Sequence, residues 1–554
     1  MKILIEQFDY ELAALQNLLP ADYYNHKKNN KVSIDFVGYY NNFATNETVI
    51  ILPKIFLDYR NETVFATIPV RSFVTENALQ LLQDYQKSKS DIHFIYRFAF
   101  IFYLSLREFQ ARNLETEITE KTATKNIISN IENTAISELD LVFSLLRFYQ
   151  ENRELIIFTQ KENEKQHFKK TNWAKTIRRQ NPILQDNTPI YTETNQRNRQ
   201  NNSEDELLAI FFTVLYRFKT QYGFSISLEN TVVEPAKADF DRKALRSLKN
   251  IRHNYFTDKF KKLLLLLLSY FEKRSSGNAK ESKEEFILCS NYNIVFEDMI
   301  DKLLSDKGSH IDKMKNQEDG KIVDHIFEYT SFFNPDSIFY IGDAKYYKET
   351  TKFSSNSIYK QHTYAKNIIQ YNLNLFNDLS KKGENLQNIR YRDELTEGYN
   401  ITPNFFIQGY IDHQNMADFA DNFRFDDTQN PKVNFHFENR IFDRDTLLIY
   451  HFTINFVFVL QSYVEKNETE LASFSQKAKE TIKAQVWQHL NKNYEFLVLT
   501  PTTNVESFVT EHFKVLNGKI YRNSQQENSL ILGLERKFTE ENEAIKNKFS
   551  AILH

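Results

Sequence analysis

A mixed α/β fold is what this chain predicts: an α-rich amino-terminal half with a small β element, then an α/β carboxyl-terminal half. Three observations predict it. Hydrophobic residues make up 41% of the 554 residues, with 48 Phe and 30 Tyr as packing mass, while 11 Gly and 10 Pro are too few for a linker-rich or repeat protein. Apolar residues recur at helical spacing from Glu76 to Asn152. Beyond residue 281, strand-like runs alternate with helical ones. The length exceeds a single core, and at about 150 residues per domain two to four domains are expected.

In chain order, the first 60 residues combine a short amphipathic helix with two strand-like segments, Lys31–Tyr40 and Glu47–Phe56, which are expected to pair as a hairpin. They define a small module at 1–70. Segments such as Phe98–Leu104 and Leu139–Leu146 then read as a helical bundle. Leu263–Leu268 is the purest apolar run, far below the roughly 18 residues of a membrane span, and predicts a buried helix flanked by Lys261, Lys262, Lys273 and Arg274. Polar stretches at Asn195–Asp205 and Lys273–Glu285 read as connections. The main boundary is expected at the second, which gives a mostly helical region at 71–280, a candidate for DNA recognition or partner docking, and a final domain at 281–554. In that domain Ile401–Tyr410, Thr446–Val459 and Phe496–Pro501 read as strands and Glu470–Lys492 as a helix.

The chemistry concentrates in two adjoining runs, Gly320–Glu328 and Ile338–Tyr347. Asn334-Pro-Asp-Ser337 has the turn chemistry to fold them into a hairpin. Strand side chains alternate faces, so Asp343 and Lys345 share one face while Gly342 and Ala344 pack on the other. The returning strand brings Asp324 alongside. Two carboxylates and one ammonium then converge; hard oxygen ligands suit magnesium and, with it, phosphodiester hydrolysis. Upstream, Ile294–Leu304 has helical spacing with Glu297 beside its apolar face, and downstream a helix beginning near Ser357 carries Gln361 and Tyr364 one turn apart.

At these residues the chain resembles the PD-(D/E)xK nuclease superfamily. More closely, it is similar to the LlaJI family of restriction endonucleases, through Val323-Asp-His-Ile-Phe, Tyr340-Ile-Gly-Asp-Ala-Lys-Tyr-Tyr and Tyr359-Lys-Gln-x-x-Tyr-Ala-Lys-Asn. The clear likeness spans residues 285–375. It implies a PD-(D/E)xK restriction-endonuclease-like core at 281–554 and a type II-like deoxyribonuclease of bacterial restriction and phage defence, using Mg2+, or Mn2+ in its place. It also implies a relation to the nuclease subunit of McrBC-type systems. The likeness assigns Asp324 and Asp343 to metal binding, Lys345 to the water and scissile phosphate, and Glu297 to a supporting position at the metal; Gln361 and Tyr364, on the downstream helix, are the candidates for positioning the DNA backbone. One departure bears on this: the literal Pro-Asp pair is Pro335-Asp336, in the turn. Asp324 is preferred, because Asp336 lies too close to Asp343 in sequence to leave a paired strand between them.

A net charge of −3 does not favour a nucleic-acid partner, but its distribution does. Arg242, Arg246 and Lys249 repeat at helical spacing opposite Leu245, Leu248 and Ile251, and a second patch runs from Lys165 through Lys169, Lys170, Lys175, Arg178 and Arg179 around Trp173. Both read either as solvated helix faces or as contacts to double-stranded DNA. No Gly-x-x-x-x-Gly-Lys-Ser/Thr loop, Gly-x-Ser-x-Gly elbow or Gly-x-Gly-x-x-Gly fingerprint occurs. Any nucleotide-driven step therefore belongs to a partner, such as a McrB-like NTPase. A homodimer or larger assembly is expected for double-strand cutting, with a cognate DNA methyltransferase as companion. A noncatalytic DNA-binding protein on the same scaffold is the other alternative, although its signature, a missing Asp or Lys, is not met. The single cysteine, Cys289, excludes an internal disulfide and a cysteine-based zinc site. The apolar stretch at Met1–Gln7 is too short for a signal peptide, so a cytoplasmic location without a membrane is expected.

Overall fold

The computed structural model describes residues 2–554 except 43–46, 59, 61, 66, 76–88, 116–126, 130–135, 154–172, 187, 194–201, 223–225, 227, 229–238, 252–256, 277–283, 307–314, 316–322, 348–352, 378–390, 413–421, 428–431, 434–437, 444–446 and 466–467. The fold is mixed α/β. Parts of the stretches read as connections, 194–201 and 277–283, lie outside the described residues, as do Lys165, Lys169 and Lys170.

The amino-terminal strands β1 (Lys2–Ile5), β2 (Val37–Asn42) and β3 (Glu47–Leu52) form a sheet with β4 (Ile127–Ser129) and β5 (Glu284–Cys289), in the order β1-β3-β2-β5-β4. The expected hairpin is present as β2 against β3, with Tyr40 opposite Val49. Lys31–Tyr40 is not one strand, however: Lys31–Ser33 pairs in a separate small sheet. β5 follows the expected division at 281 yet pairs antiparallel with β2, which ties the start of the carboxyl-terminal half to the first module.

Helices α1 (Lys89–Glu115), α2 (Glu138–Glu151), α3 (Trp173–Arg179), α4 (Asn202–Tyr222), α5 (Phe240–Ile251) and α6 (Asp258–Ser276) fill the middle of the chain. In α6, Leu263, Leu264, Leu267 and Leu268 are buried as expected, but Leu265 is exposed, because a helix packed on one side leaves every third or fourth position to solvent. Among the described residues no helix is long and apolar enough to cross a membrane.

The second sheet carries the residues of interest. Its strands β6 (His325–Thr330), β7 (Ser337–Lys345), β8 (Asn404–Tyr410), β9 (Phe423–Phe425), β10 (Lys432–Val433) and β11 (Leu448–Asn455) run in the order β6-β7-β8-β11-β9, with β10 also on β11. β6 and β7 are antiparallel; β7, β8 and β11 are parallel. Helices α7 (Tyr292–Leu304) and α8 (Ser355–Asn377) flank it. The run Thr446–Val459 is a strand only to Asn455, whose side-chain oxygen accepts the Val457 N–H at 3.2 Å and so starts helix α9 (Phe456–Glu465). Helix α10 (Glu468–Asn493) leads to a three-stranded sheet of Tyr494–Leu499, Ile520–Arg522 and Leu530–Glu535, whose core is separate from the main one.

Candidate active site

The β6–β7 hairpin is in the register its alternation demands: His325 opposes Gly342, Ile326 opposes Ile341, and Thr330 opposes Ser337. One residue before β6, Asp324 comes within hydrogen-bonding reach of Asp343. Asp336 is in the turn at the far end, where its carbonyl accepts the Ser331 N–H at 2.9 Å. Six strand residues separate it from Asp343, roughly 20 Å.

Each face of the hairpin has its own cover. On the Gly342 side, a Cβ at 342 would stand 2.5 Å from the Phe405 ring, so the missing side chain is what lets that ring lie across the strand here. On the Asp343 side, strand register aligns Asp343 with Phe406 and His451. Phe353, just before α8, stacks on Phe406 with ring centroids 4.7 Å apart and lies 4.8 Å from the His451 ring. Lys345 reaches back to form an ion pair with Asp343, and its ammonium lies 5.6 Å from the centre of the Phe406 ring.

These charges are unbalanced. Burial first, then the hydrogen bond and charge of Asp343 and the charge of Glu297, push Asp324 well above the usual carboxylate range. Glu297, half-buried on α7, is raised to about 7 by burial and by the nearby Asp343 charge, with Lys345 opposing. Burial works against the Lys345 charge, yet contact with Asp343 and the field of Asp324 hold its pKa above the ordinary lysine value.

Asp324, Asp343 and Glu297 thus gather, among the described residues, around the Lys345 ammonium, an arrangement that could take a cation once the carboxyls are ionised. Among the described residues no group of three or more His, Cys, Asp or Glu side chains forms a ready-made ligand set. The adjoining pair Asp324 and Asp343 could serve as donors, with Glu297 close enough to respond to Asp343. Two hard oxygen donors fit magnesium, which keeps most of its waters.

The other expected residues are placed less centrally. Gln361 is buried and donates from its amide nitrogen to Asn404 Oδ1 at 2.6 Å; Asn404 returns a 3.3 Å bond to the Gln361 carbonyl. It is therefore directed at the start of β8 rather than at the carboxylates. Tyr364, one turn on, packs half-buried against the main core. On α5 the buried residues Phe240, Ala244, Leu248 and Ile251 leave Arg242, Arg246 and Lys249 exposed. Arg242 pairs with Asp239 at 3.0 Å and Lys249 with Glu272 at 3.2 Å. Arg178 and Arg179 are exposed beside an exposed Trp173, while the side chain of Lys175 lies outside the described residues.

Behind the hairpin lies a cluster the sequence did not announce. His325 is fully buried, 3.5 Å from Asp301 on α7, and Lys315 forms an ion pair with the same carboxylate. Burial opposes the charge of Asp301, but His325 and Lys315 outweigh it and hold this carboxyl well below the usual range. The available signal was the spacing of Asp301 four residues after Glu297, on the same side of one helix.

A family model described as LlaJI restriction endonuclease matches residues 105–437, which include Glu297, Asp324, Asp343 and Lys345 but not His451. No curated protein and no solved structure matches the chain.

Proposed function

Because this chain belongs to the LlaJI restriction endonuclease family, we propose that it is a magnesium-dependent restriction nuclease hydrolysing phosphodiester bonds of double-stranded DNA. The PD-(D/E)xK-type core of this reading is α7, β6, β7, α8 and β8. The observation that carries it is the meeting of Asp324, Asp343 and Lys345 at one end of the hairpin, where burial and the neighbouring carboxyls push Asp324 upward.

Asp324, Asp343 and, in support, Glu297 would hold Mg2+, or Mn2+ in its place. A bound divalent cation supplies Lewis acidity toward the phosphate and acidifies water. Lys345 donates from Nζ to the attacking water or a scissile-phosphate oxygen, and its charge offsets the negative charge that builds in the pentavalent transition state. Gln361 and Tyr364 hold α8 where it flanks the DNA backbone. Arg242, Arg246, Lys249, Lys175, Arg178 and Arg179 contact phosphates, and two copies act together to cut both strands. A second reading, with which the absence of a P-loop in the sequence is equally compatible, is a nuclease subunit that cuts only with a separate nucleotide-hydrolysing partner.

Incubating the purified chain with methylated and unmethylated DNA in magnesium tests both. Cutting by the chain alone is expected, and Asp343→Ala or Lys345→Ala should slow it by about a hundredfold or more, with DNA affinity in calcium retained. Cutting that appears only with the partner and nucleotide selects the second reading. Undiminished cutting by either variant would overturn the site assignment.

A further inference from the structure

The residue that follows Lys345 is held from the other end of the chain. Tyr346 is buried, and its hydroxyl donates to Glu6 Oε2 at 2.7 Å. Glu6 is itself buried, just past β1, and its backbone N–H is fixed to the Leu52 carbonyl at 2.9 Å. The Lys54 N–H closes the triangle, 3.1 Å from Glu6 Oε2 and 3.0 Å from the Tyr346 oxygen, and the Lys54 ammonium lies 5.2 Å from the centre of the Tyr346 ring. The ring packs edge-on against Tyr292 at 5.3 Å and tilted against Phe296 at 6.3 Å, both on α7 and the second adjacent to Glu297.

The amino-terminal module thus touches both carriers of the site at once. It fixes the backbone where β7 ends, directly after Lys345, and through the Tyr346 ring it bears on the turn of α7 that presents Glu297. Burial, with the Glu6 carboxylate behind it, pushes the Tyr346 hydroxyl far above its ordinary value, so it remains a donor throughout the working pH range. A buried carboxylate accepting from a buried phenol and a backbone amide is a rigid contact, because each group has lost water and gains no substitute elsewhere. Glu6 and Lys54 also lie outside residues 105–437, so the family match does not reach this contact.

We propose that Glu6, through Tyr346, is a positioning residue for Lys345, so that the amino-terminal sheet is part of the catalytic apparatus. This rests on the nuclease reading given above. An ammonium must stand within hydrogen-bond reach of the reacting oxygen, and a displacement of about 1 Å costs on the order of a hundredfold in rate.

The test uses the full-length chain with Tyr346→Phe, Glu6→Ala and Glu6→Gln. Glutamine keeps a neutral oxygen where Oε2 accepts both bonds. Tyr346→Phe and Glu6→Ala are expected to lower kcat at least about tenfold, with KM and calcium-supported DNA affinity unchanged, and Glu6→Gln to restore most of the rate. Amide hydrogen exchange provides a readout without turnover: in Tyr346→Phe and Glu6→Ala, protection should fall at Ala344–Tyr347 and hold at Ile338–Ile341. If Glu6→Ala does not fold, Tyr346→Phe, which removes one oxygen, decides alone. Wild-type kcat in folded variants with unchanged exchange at the end of β7 overturns the proposal. Should the wild-type chain cut no DNA with or without a nucleotide-hydrolysing partner, the nuclease reading fails instead, and the exchange data alone judge the clamp.

Discussion

The two faces of the β6–β7 hairpin hold ionisable clusters of opposite balance. Behind it, Asp301 faces Lys315 and a His325 whose own charge is disfavoured by burial, and it is held well below the usual carboxylate range, as expected for a carboxylate paired with an ammonium. In front, among the described residues, Asp324, Asp343 and Glu297 gather around Lys345; burial and mutual repulsion push Asp324 and Glu297 upward. The same strands and the same helix α7 supply both. A matched cluster stabilises the fold, whereas an unmatched one stores a demand for positive charge. The second is the signature of a site rather than of a scaffold.

The largest effect that separates the faces is on stability. Asp301→Ala should cost about 2 kcal/mol, read as a lower denaturation midpoint, because it strands Lys315 beside a buried His325; the folded fraction should still cut DNA. Equal loss of cutting per folded molecule in Asp301→Ala and Lys345→Ala would erase the distinction between the two faces.

A smaller effect is expected from pH. In the folded chain Glu297 binds its proton more tightly than in the unfolded one, since its pKa rises from 4.5 to about 7. That contribution to stability is complete below 4.5 and is lost as pH rises through about 7. In chelator the melting temperature of wild type should therefore fall across this window, more steeply than that of Glu297→Gln. Parallel curves would remove Glu297 from the unmatched cluster.

The smallest effect concerns the exposed cations of α5. Replacing Arg242, Arg246 and Lys249 by Ala should weaken binding to all DNA sequences alike and reduce the slope of log affinity against log salt by about one unit per lost phosphate contact. A salt titration in calcium reads this directly. An unchanged slope returns these residues to solvated surface, a reading that the ion pairs of Arg242 and Lys249 already support in part.

What was legible in the sequence was whatever local periodicity and turn chemistry dictate. The β6–β7 hairpin, its turn at Asn334–Ser337 and the facing of Asp324 with Asp343 all follow from period-two alternation around a short loop, and α7 and α8 follow from helical spacing. Long-range pairing was not legible. Nothing near Glu284–Cys289 announces that it joins β2, nothing near Tyr346 announces Glu6, and Asp301 looks like a solvated charge until folding brings His325 behind it. Asn455 misled for a different reason: the apolar run continues past it, but its side chain caps the next helix and ends the strand.

The most direct test of the central claim is Mn2+ binding, measured calorimetrically on the wild type, Asp324→Asn and Asp301→Asn. Binding lost in Asp324→Asn and retained in Asp301→Asn is the predicted result. Equal binding by all three proteins would contradict the claim that the unmatched face is where the cation goes.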